Sequence, residues 1–364
     1  MSTDSGIEWT DATWNPVTGC TRVSAGCDHC YAVPMTRRLE GAARGAVGNG
    51  ALRSHAQKYV GLTVKNGAGD WHFNGTVRTH DDALTVPLGW KKPKRIFVNS
   101  MSDLFHPKVP FNFIDKAFAV MALTPQHTYQ ILTKRPQRMA EYMNTRQSAG
   151  GMVRLEPGLA PVGSPDHVCE AWHRALFFWP PANVWLGCSV EDQRTADERI
   201  PHLLKCHATV RFLSCEPLLG PIDLRLPEGC RGCNHPGNVV HRETCTLCDG
   251  TGQERWIDWI ILGGESGPGA RPMHPGWARS IRDQCAAARV AFFFKQWGAW
   301  APVDGLEWRG SRSDLYVCDW GEMGYVGKKA AGRLLDGREH NAFPQCNRRG
   351  AEAAETDAER SVRA

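Results

Sequence analysis

The sequence predicts an α/β protein built as a full or partial parallel β/α barrel, and three observations carry that expectation. Six short runs, nearly all apolar, recur between residues 95 and 296, as strands covered on both faces require. Helix-like segments lie between several of them. Polar and charged residues follow the runs directly, where the strand-end loops of a barrel converge on one rim. The alternative is a doubly wound open sheet, which alternates strands and helices in the same way.

The elements run in order. An N-terminal segment leads to three cysteines in "GCTRVSAGCDHCYA" (19–32), followed by "EGAARGAVGNG", a Gly/Ala/Arg-rich stretch expected to be a loop or mobile crossover. The apolar runs are "RIFVNS" (95–100), "TYQILT" (128–133), "NVWLGCS" (183–189), "VRFLSC" (210–215), "WIDWIILGG" (256–264) and "VAFFFKQ" (290–296). Helices are expected at "NFIDKAFAVMAL", "PQRMAEYM" and "PGWARSIRDQCAAAR". In the last, Trp277, Ile281 and Cys285 fall four apart on one face, and Pro275 suits a first helical turn. Residues 1–347 are read as the barrel, with an insertion at 228–252 and a frayed or disordered tail over 348–364.

Bulk properties narrow the class. With 364 residues, 42% hydrophobic and 22% charged, the chain has ample core for a folded soluble protein. No stretch approaches a membrane span, and "MSTDSGIEWT" lacks the regions of a signal peptide, so a cytoplasmic protein is expected. There the 14 cysteines stay reduced, and clustered ones bind metal rather than form disulfides. A net charge of +5 permits a nucleic-acid partner without requiring one.

Cys20, Cys27 and Cys30 read C-x6-C-x2-C, with no fourth cysteine before Cys169. A closed zinc site takes four ligands. Three cysteines suit a 4Fe–4S cubane with one iron left open, which an amino acid's amine and carboxylate can chelate, as S-adenosylmethionine does. Gly19 and Gly26 ease the turn. The competing reading makes Cys20 a core residue and Cys27–Cys30 half of a zinc site.

"IEWTDATWNPVTGCTRVSAGCDHCYA" resembles the opening of a phage and bacterial protein family that has an N-terminal three-cysteine motif and is grouped with radical S-adenosylmethionine enzymes. "NSMSDLFH", "ILTKRPQRM", "LGCSVEDQ", "SCEPLLGPI", "GGESGPGARPMHPGW", "FFFKQWG" and "VGKKAAGRLLDGREHNAFP" resemble further family blocks, over roughly residues 6 to 345. The resemblance implies a barrel of the radical-enzyme type with cluster ligands at Cys20, Cys27 and Cys30. It supplies no reaction. Radical enzymes often carry a Gly-Gly-Glu-like stretch after the second strand, where it holds the methionyl amine. Here Gly263, Gly264 and Glu265 follow a late strand instead. The two glycines stay cofactor candidates, and Glu265 is expected to face substrate or ribose. Asn99, Ser100 and Asp103, nearer the trio in sequence, are further cofactor candidates.

A second metal site is expected at Cys230, Cys233, Cys245 and Cys248, spaced C-x2-C, eleven residues, C-x2-C. Two such knuckles give a tetrahedral thiolate zinc site. A second iron–sulfur cluster is the competitor, and His235 and His241 are alternative ligands.

The remaining candidates follow the apolar runs. Glu216, Glu265 and Lys295 are read as catalytic; Lys134, Arg135, Glu191, Gln296 and Trp297 as substrate-binding. Lys134 with Arg135 suits phosphate or carboxylate capture. With the basic stretches "WKKPKR", "TKRPQR" and "VGKKAAGR", and with Trp90 and Trp297 as stacking surfaces, the expected substrate is a nucleic acid or nucleoside. The expected activity is modification or repair by a 5′-deoxyadenosyl radical, with flavodoxin or ferredoxin as electron donor. The alternatives are the same chemistry on a small metabolite or protein, and a non-catalytic, metal-stabilised nucleic-acid-binding protein.

Overall fold

Seven strands form one parallel sheet: β1 (Ala12–Trp14), β2 (Arg95–Val98), β3 (Thr128–Thr133), β4 (Val184–Ser189), β5 (Val210–Cys215), β6 (Trp259–Gly263) and β7 (Ala291–Gln296). The computed structural model describes residues 5–45, 55–146, 152–154, 176–226, 257–303, 315–318 and 321–344. The strand order in space is the order in sequence, with no reversal. A doubly wound sheet reverses at its switch point, so that alternative is excluded in favour of a half-barrel. All six expected runs contain a strand, and two match it residue for residue. The outer edge of β7 is covered by a returning segment, with Phe294 N–H donating to His340 O and Ala342 N–H to Phe292 O.

The longer helices among the described residues are α1 (Ala32–Gly45), α2 (Phe111–Ala122), α3 (Pro136–Thr145), α4 (Gln193–Leu204) and α5 (Pro275–Ala287). α3 and α5 begin on proline, whose fixed φ suits a first turn. α4 begins with a capping box: Asp192 Oδ1 accepts from Thr195 N–H, while Thr195 Oγ1 accepts from Asp192 N–H. Ile281 and Cys285 face the core as their spacing requires. One expectation is corrected here. Glu40–Gly45, read as loop, completes α1, because the alanines and Arg44 of that stretch are good helix formers.

Alternation along the strands builds two layers. Ile96, Val98, Tyr129, Ile131, Leu186, Leu213, Ile260, Leu262, Phe292 and Phe294 pack with the helices in the larger core. Phe97, Trp185, Phe212, Trp259, Ile261 and Phe293 point to the other face, where Trp9 joins them. Trp9 lies 4.7 Å from Phe97 and 6.1 Å from Trp259, ring to ring, so aromatic packing closes the lower half of the barrel. Nearer the strand ends the same face carries Ser189, paired in register with Ser214, and Gly263. Small side chains there leave room, and a cavity of about 340 Å³ opens at the carboxyl ends of the strands. Among the described residues no helix is long and apolar enough to cross a membrane.

Candidate functional site

The cysteine trio lies in the connection from β1 to α1, at the strand-end rim. Gly19 has φ +83°, and a Cβ there would stand 1.9 Å from Thr76 O, so only glycine brings the chain to Cys20 by this path. A single 3₁₀ turn, Ala25–Cys27, then carries the chain towards Cys30 and α1. Cys20, Cys27 and Cys30 all line this same cavity. Among the described residues no three His, Cys, Asp or Glu side chains are placed to hold a single metal ion.

Four other strand-end loops hold this loop in place. After β2, Ser100 O accepts from Tyr31 Oη. After β3, Arg135 Nη2 donates to Thr21 O at 3.0 Å and to Thr21 Oγ1 at 2.8 Å. After β4, Glu191 accepts from Ser24 Oγ at 2.8 Å, and a Cβ on Gly26 would stand 2.5 Å from the Glu191 side chain. After β6, Arg271 Nη2 donates to Ala25 O at 2.9 Å while its guanidinium pairs with Glu265 at 2.6 Å.

Electrostatics follow from burial. Burial pushes the Cys20 thiol up to about 12; Asp103 adds to this, while Arg135 opposes it. Burial raises Cys30 as well. Both thiols therefore stay protonated at neutral pH unless a cation replaces the proton, which couples metal uptake to proton release. His106, whose Nε2 meets Thr21 Oγ1 at 2.9 Å, is lowered to about 4 by burial and by Arg135, so it stays neutral behind the loop.

Most of the residues expected at the rim do converge. Asn99, Ser100 and Asp103 line the cavity, as do Lys134 and Arg135. Glu216, Gly264, Glu265, Lys295 and Gln296 line its other side. Lys295 Nζ donates to Glu216 Oε1 at 2.7 Å, and Gln296 Nε2 approaches the same oxygen at 3.5 Å. Asn99 adopts φ +58°, a left-handed conformation that Asn tolerates. Its Oδ1 accepts from Val17 N–H at 3.2 Å, while its Nδ2 has no partner among the described residues. Gln296 Oε1 is likewise buried without one.

Other candidates stand differently from expectation. Lys134 and Arg135 are not free cations facing a ligand: Lys134 Nζ binds Glu191 at 2.8 Å and Arg135 Nη1 binds Asp103 at 2.7 Å. Glu191 is 1% exposed and lies under the cysteine loop, paired also with Arg199. Gly263 lies beneath Glu216, and a Cβ on Gly264 would strike Trp297 O at 1.9 Å. Gly264 thus serves close backbone packing, while Gly263 leaves the Glu216 side chain at ordinary contact distance. Trp297, expected as a stacking surface, packs in the helix-side core with its Nε1 donating to Leu334 O. Trp90 packs against the same core. Cys230, Cys233, Cys245 and Cys248 lie outside the described residues.

Sequence reasoning missed Arg199 and Arg271, which complete the frame of the site. Arg199 carried a signal: it interrupts the buried stripe of Ala196 and Leu203 on α4, and an arginine in such a stripe implies a buried carboxylate. Arg271, in a Gly/Pro-rich loop, carried none. The Trp9–Phe97 floor was hidden too, since Trp9 precedes any strand.

No curated protein and no solved structure matches the chain. The family described as "Protein of unknown function (DUF5131)" matches residues 4–344, and the chain belongs to that family.

Proposed function

We propose that this protein is a cytoplasmic radical S-adenosylmethionine enzyme, its half-barrel being of that type, acting on a nucleic acid or nucleoside in modification or repair. One observation carries the reading: three cysteines, with no fourth beside them among the described residues, share the wall of a strand-end cavity with Glu216, Glu265 and Lys295. A cubane asks three thiolates to bind three different irons, rather than to surround one ion. Asn99 and Gln296, which line the same cavity, each keep a buried polar atom, Nδ2 and Oε1, without a partner among the described residues. When bound, cluster and S-adenosylmethionine supply one-electron cleavage of the sulfonium to a 5′-deoxyadenosyl radical that abstracts hydrogen.

This chain's own residues bind and orient. Cys20, Cys27 and Cys30 hold the cluster on a loop fixed from four sides. Asn99, Ser100 and the strand-end backbone at Gly264 border the cofactor. The apolar floor of Trp9, Phe97 and Leu132 suits a planar base, and the Lys295–Glu216 pair above it offers a proton donor and an acceptor to the substrate. The four cysteines from Cys230 to Cys248 hold a structural zinc, and a flavodoxin or ferredoxin delivers the electron. Anaerobic reconstitution with iron and sulfide, then dithionite and S-adenosylmethionine, should yield 5′-deoxyadenosine. A folded protein that binds no iron and yields none would leave the non-catalytic nucleic-acid-binding reading in its place.

A further inference from the structure

We infer that Arg135 is a positioning residue that raises the reduction potential of the metal group held by Cys20, Cys27 and Cys30, through a guanidinium fixed against the sulfur of Cys20. The inference rests on the reading above and assigns Arg135 a role other than phosphate capture.

Arg135 Nη1 lies 3.9 Å from Cys20 Sγ and 2.7 Å from Asp103 Oδ2, while Nη2 makes both contacts to Thr21. The guanidinium has little freedom, since its side chain is 12% exposed. Its anchor is fixed as well. The Asp103 carboxylate accepts from Phe105 N–H at 2.9 Å, from Thr133 Oγ1 at 2.8 Å and from Lys134 N–H at 3.2 Å. The Arg135 backbone N–H is bonded in turn to Thr133 Oγ1 at 2.9 Å. A carboxylate with that many donors cannot swing aside, so the cation stays at Cys20. Lys134 is the contrast. Each cation has a carboxylate in direct contact, Glu191 on Lys134 and Asp103 on Arg135, but Arg135 also donates to a cysteine sulfur.

The electrostatic consequence has a definite sign. Thiolate-bound iron–sulfur groups become more negative on reduction, and their potentials respond to hydrogen bonds at sulfur and to nearby charge. A guanidinium donating to one ligand sulfur favours the reduced form. Lysine at this position keeps the charge but cannot fork to Asp103, Thr21 and Cys20 together. Glutamine loses the charge.

The test is a dithionite titration of the reconstituted full-length protein, followed by electron paramagnetic resonance. Arg135→Gln should make one-electron reduction about tenfold less favourable, a fall of about 59 mV, with Arg135→Lys between it and the wild type. Variants that hold the wild-type complement of iron at the wild-type potential would overturn the inference. So would loss of iron from both, which would make Arg135 a clamp and nothing more. If only Arg135→Gln loses iron, the potential of Arg135→Lys decides. A wild-type protein that takes up no iron defeats the radical-enzyme reading before any titration, so the two failures are told apart.

Discussion

Replacing Glu191 by glutamine should weaken the whole protein and loosen the cysteine loop together. The carboxylate meets Ser24 Oγ and Lys134 Nζ at 2.8 Å and Arg199 Nη1 at 3.1 Å through each oxygen. Burial alone pushes this carboxyl up, yet Lys134 and Arg199 outweigh burial and hold its pKa below the ordinary value. Without the charge, Arg199, itself 2% exposed, keeps only the Ser189 carbonyl at 2.7 Å as a strong acceptor. Breaking a buried ion pair from one side costs about 3–5 kcal/mol. Because the amide oxygen still accepts a bond, the lower end applies, about 3 kcal/mol. For a chain of 364 residues, at about 2.1 cal/mol/K of unfolding entropy per residue, that is a melting temperature lower by about 4 °C. The sign with pH follows. A depressed carboxylate pKa contributes stability above its unfolded value and loses it as pH falls through the folded one. The gap between wild type and Glu191→Gln should therefore narrow as pH falls below the ordinary glutamate value of about 4.3. Thermal melts followed by circular dichroism at neutral and acid pH measure both effects. Equal melting at neutral pH, or a gap that widens in acid, would refute the reasoning.

Cys27→Ala should abolish iron uptake at the trio and leave zinc content unchanged; elemental analysis separates this from misfolding, in which both metals go. Gly26→Ala puts a methyl group 2.5 Å from a Glu191 side chain that cannot move aside, and should cost about 1–3 kcal/mol in denaturant unfolding. Glu265→Gln, whose amide oxygen still accepts from Arg271 and so keeps the cysteine loop tied, should lower 5′-deoxyadenosine formation while iron per chain is kept, whereas a purely structural role would lower only the melting temperature. Chelation of zinc should speed hydrogen exchange near residues 228–252 more than in β2–β5; uniform exchange would mean that the insertion is not a separable unit.

The strands were the most legible part of the fold. Parallel strands buried on both faces are short apolar blocks, and "VRFLSC" and "TYQILT", two of six such runs, match their strands residue for residue. β1 was less legible, because three residues of "ATW" carry no pattern; its place is set by register against Ile96–Val98. The hairpin of Thr63–Lys65 with Trp71–Phe73 was invisible for the same reason. At the site, position was legible and role was not. Residues after parallel strands share a rim by topology, so convergence could be read from sequence. Which charge meets a ligand and which meets another charge depends on partners far apart in the chain. Lys134 and Glu191 are one such pair, and Glu265 with Arg271 looks local only once the loop is folded.

That division argues for how the site works. Lys134, Arg135, Glu191 and Glu265 are each tied, directly or through one partner, to the loop of Cys20–Cys30. Glu216, Lys295 and Gln296 interact with one another across the ends of β5 and β7, and among the described residues none of their hydrogen bonds reaches that loop. A rim in which one group of charges fixes the cysteines can change the other without disturbing the metal group. Substitutions such as Lys295→Met should therefore alter what the cavity accepts while iron uptake stays at the wild-type level. If Lys295→Met instead strips iron from the trio, the two halves of the rim are one cooperative unit, and the assignment of Glu216 and Lys295 to the substrate fails.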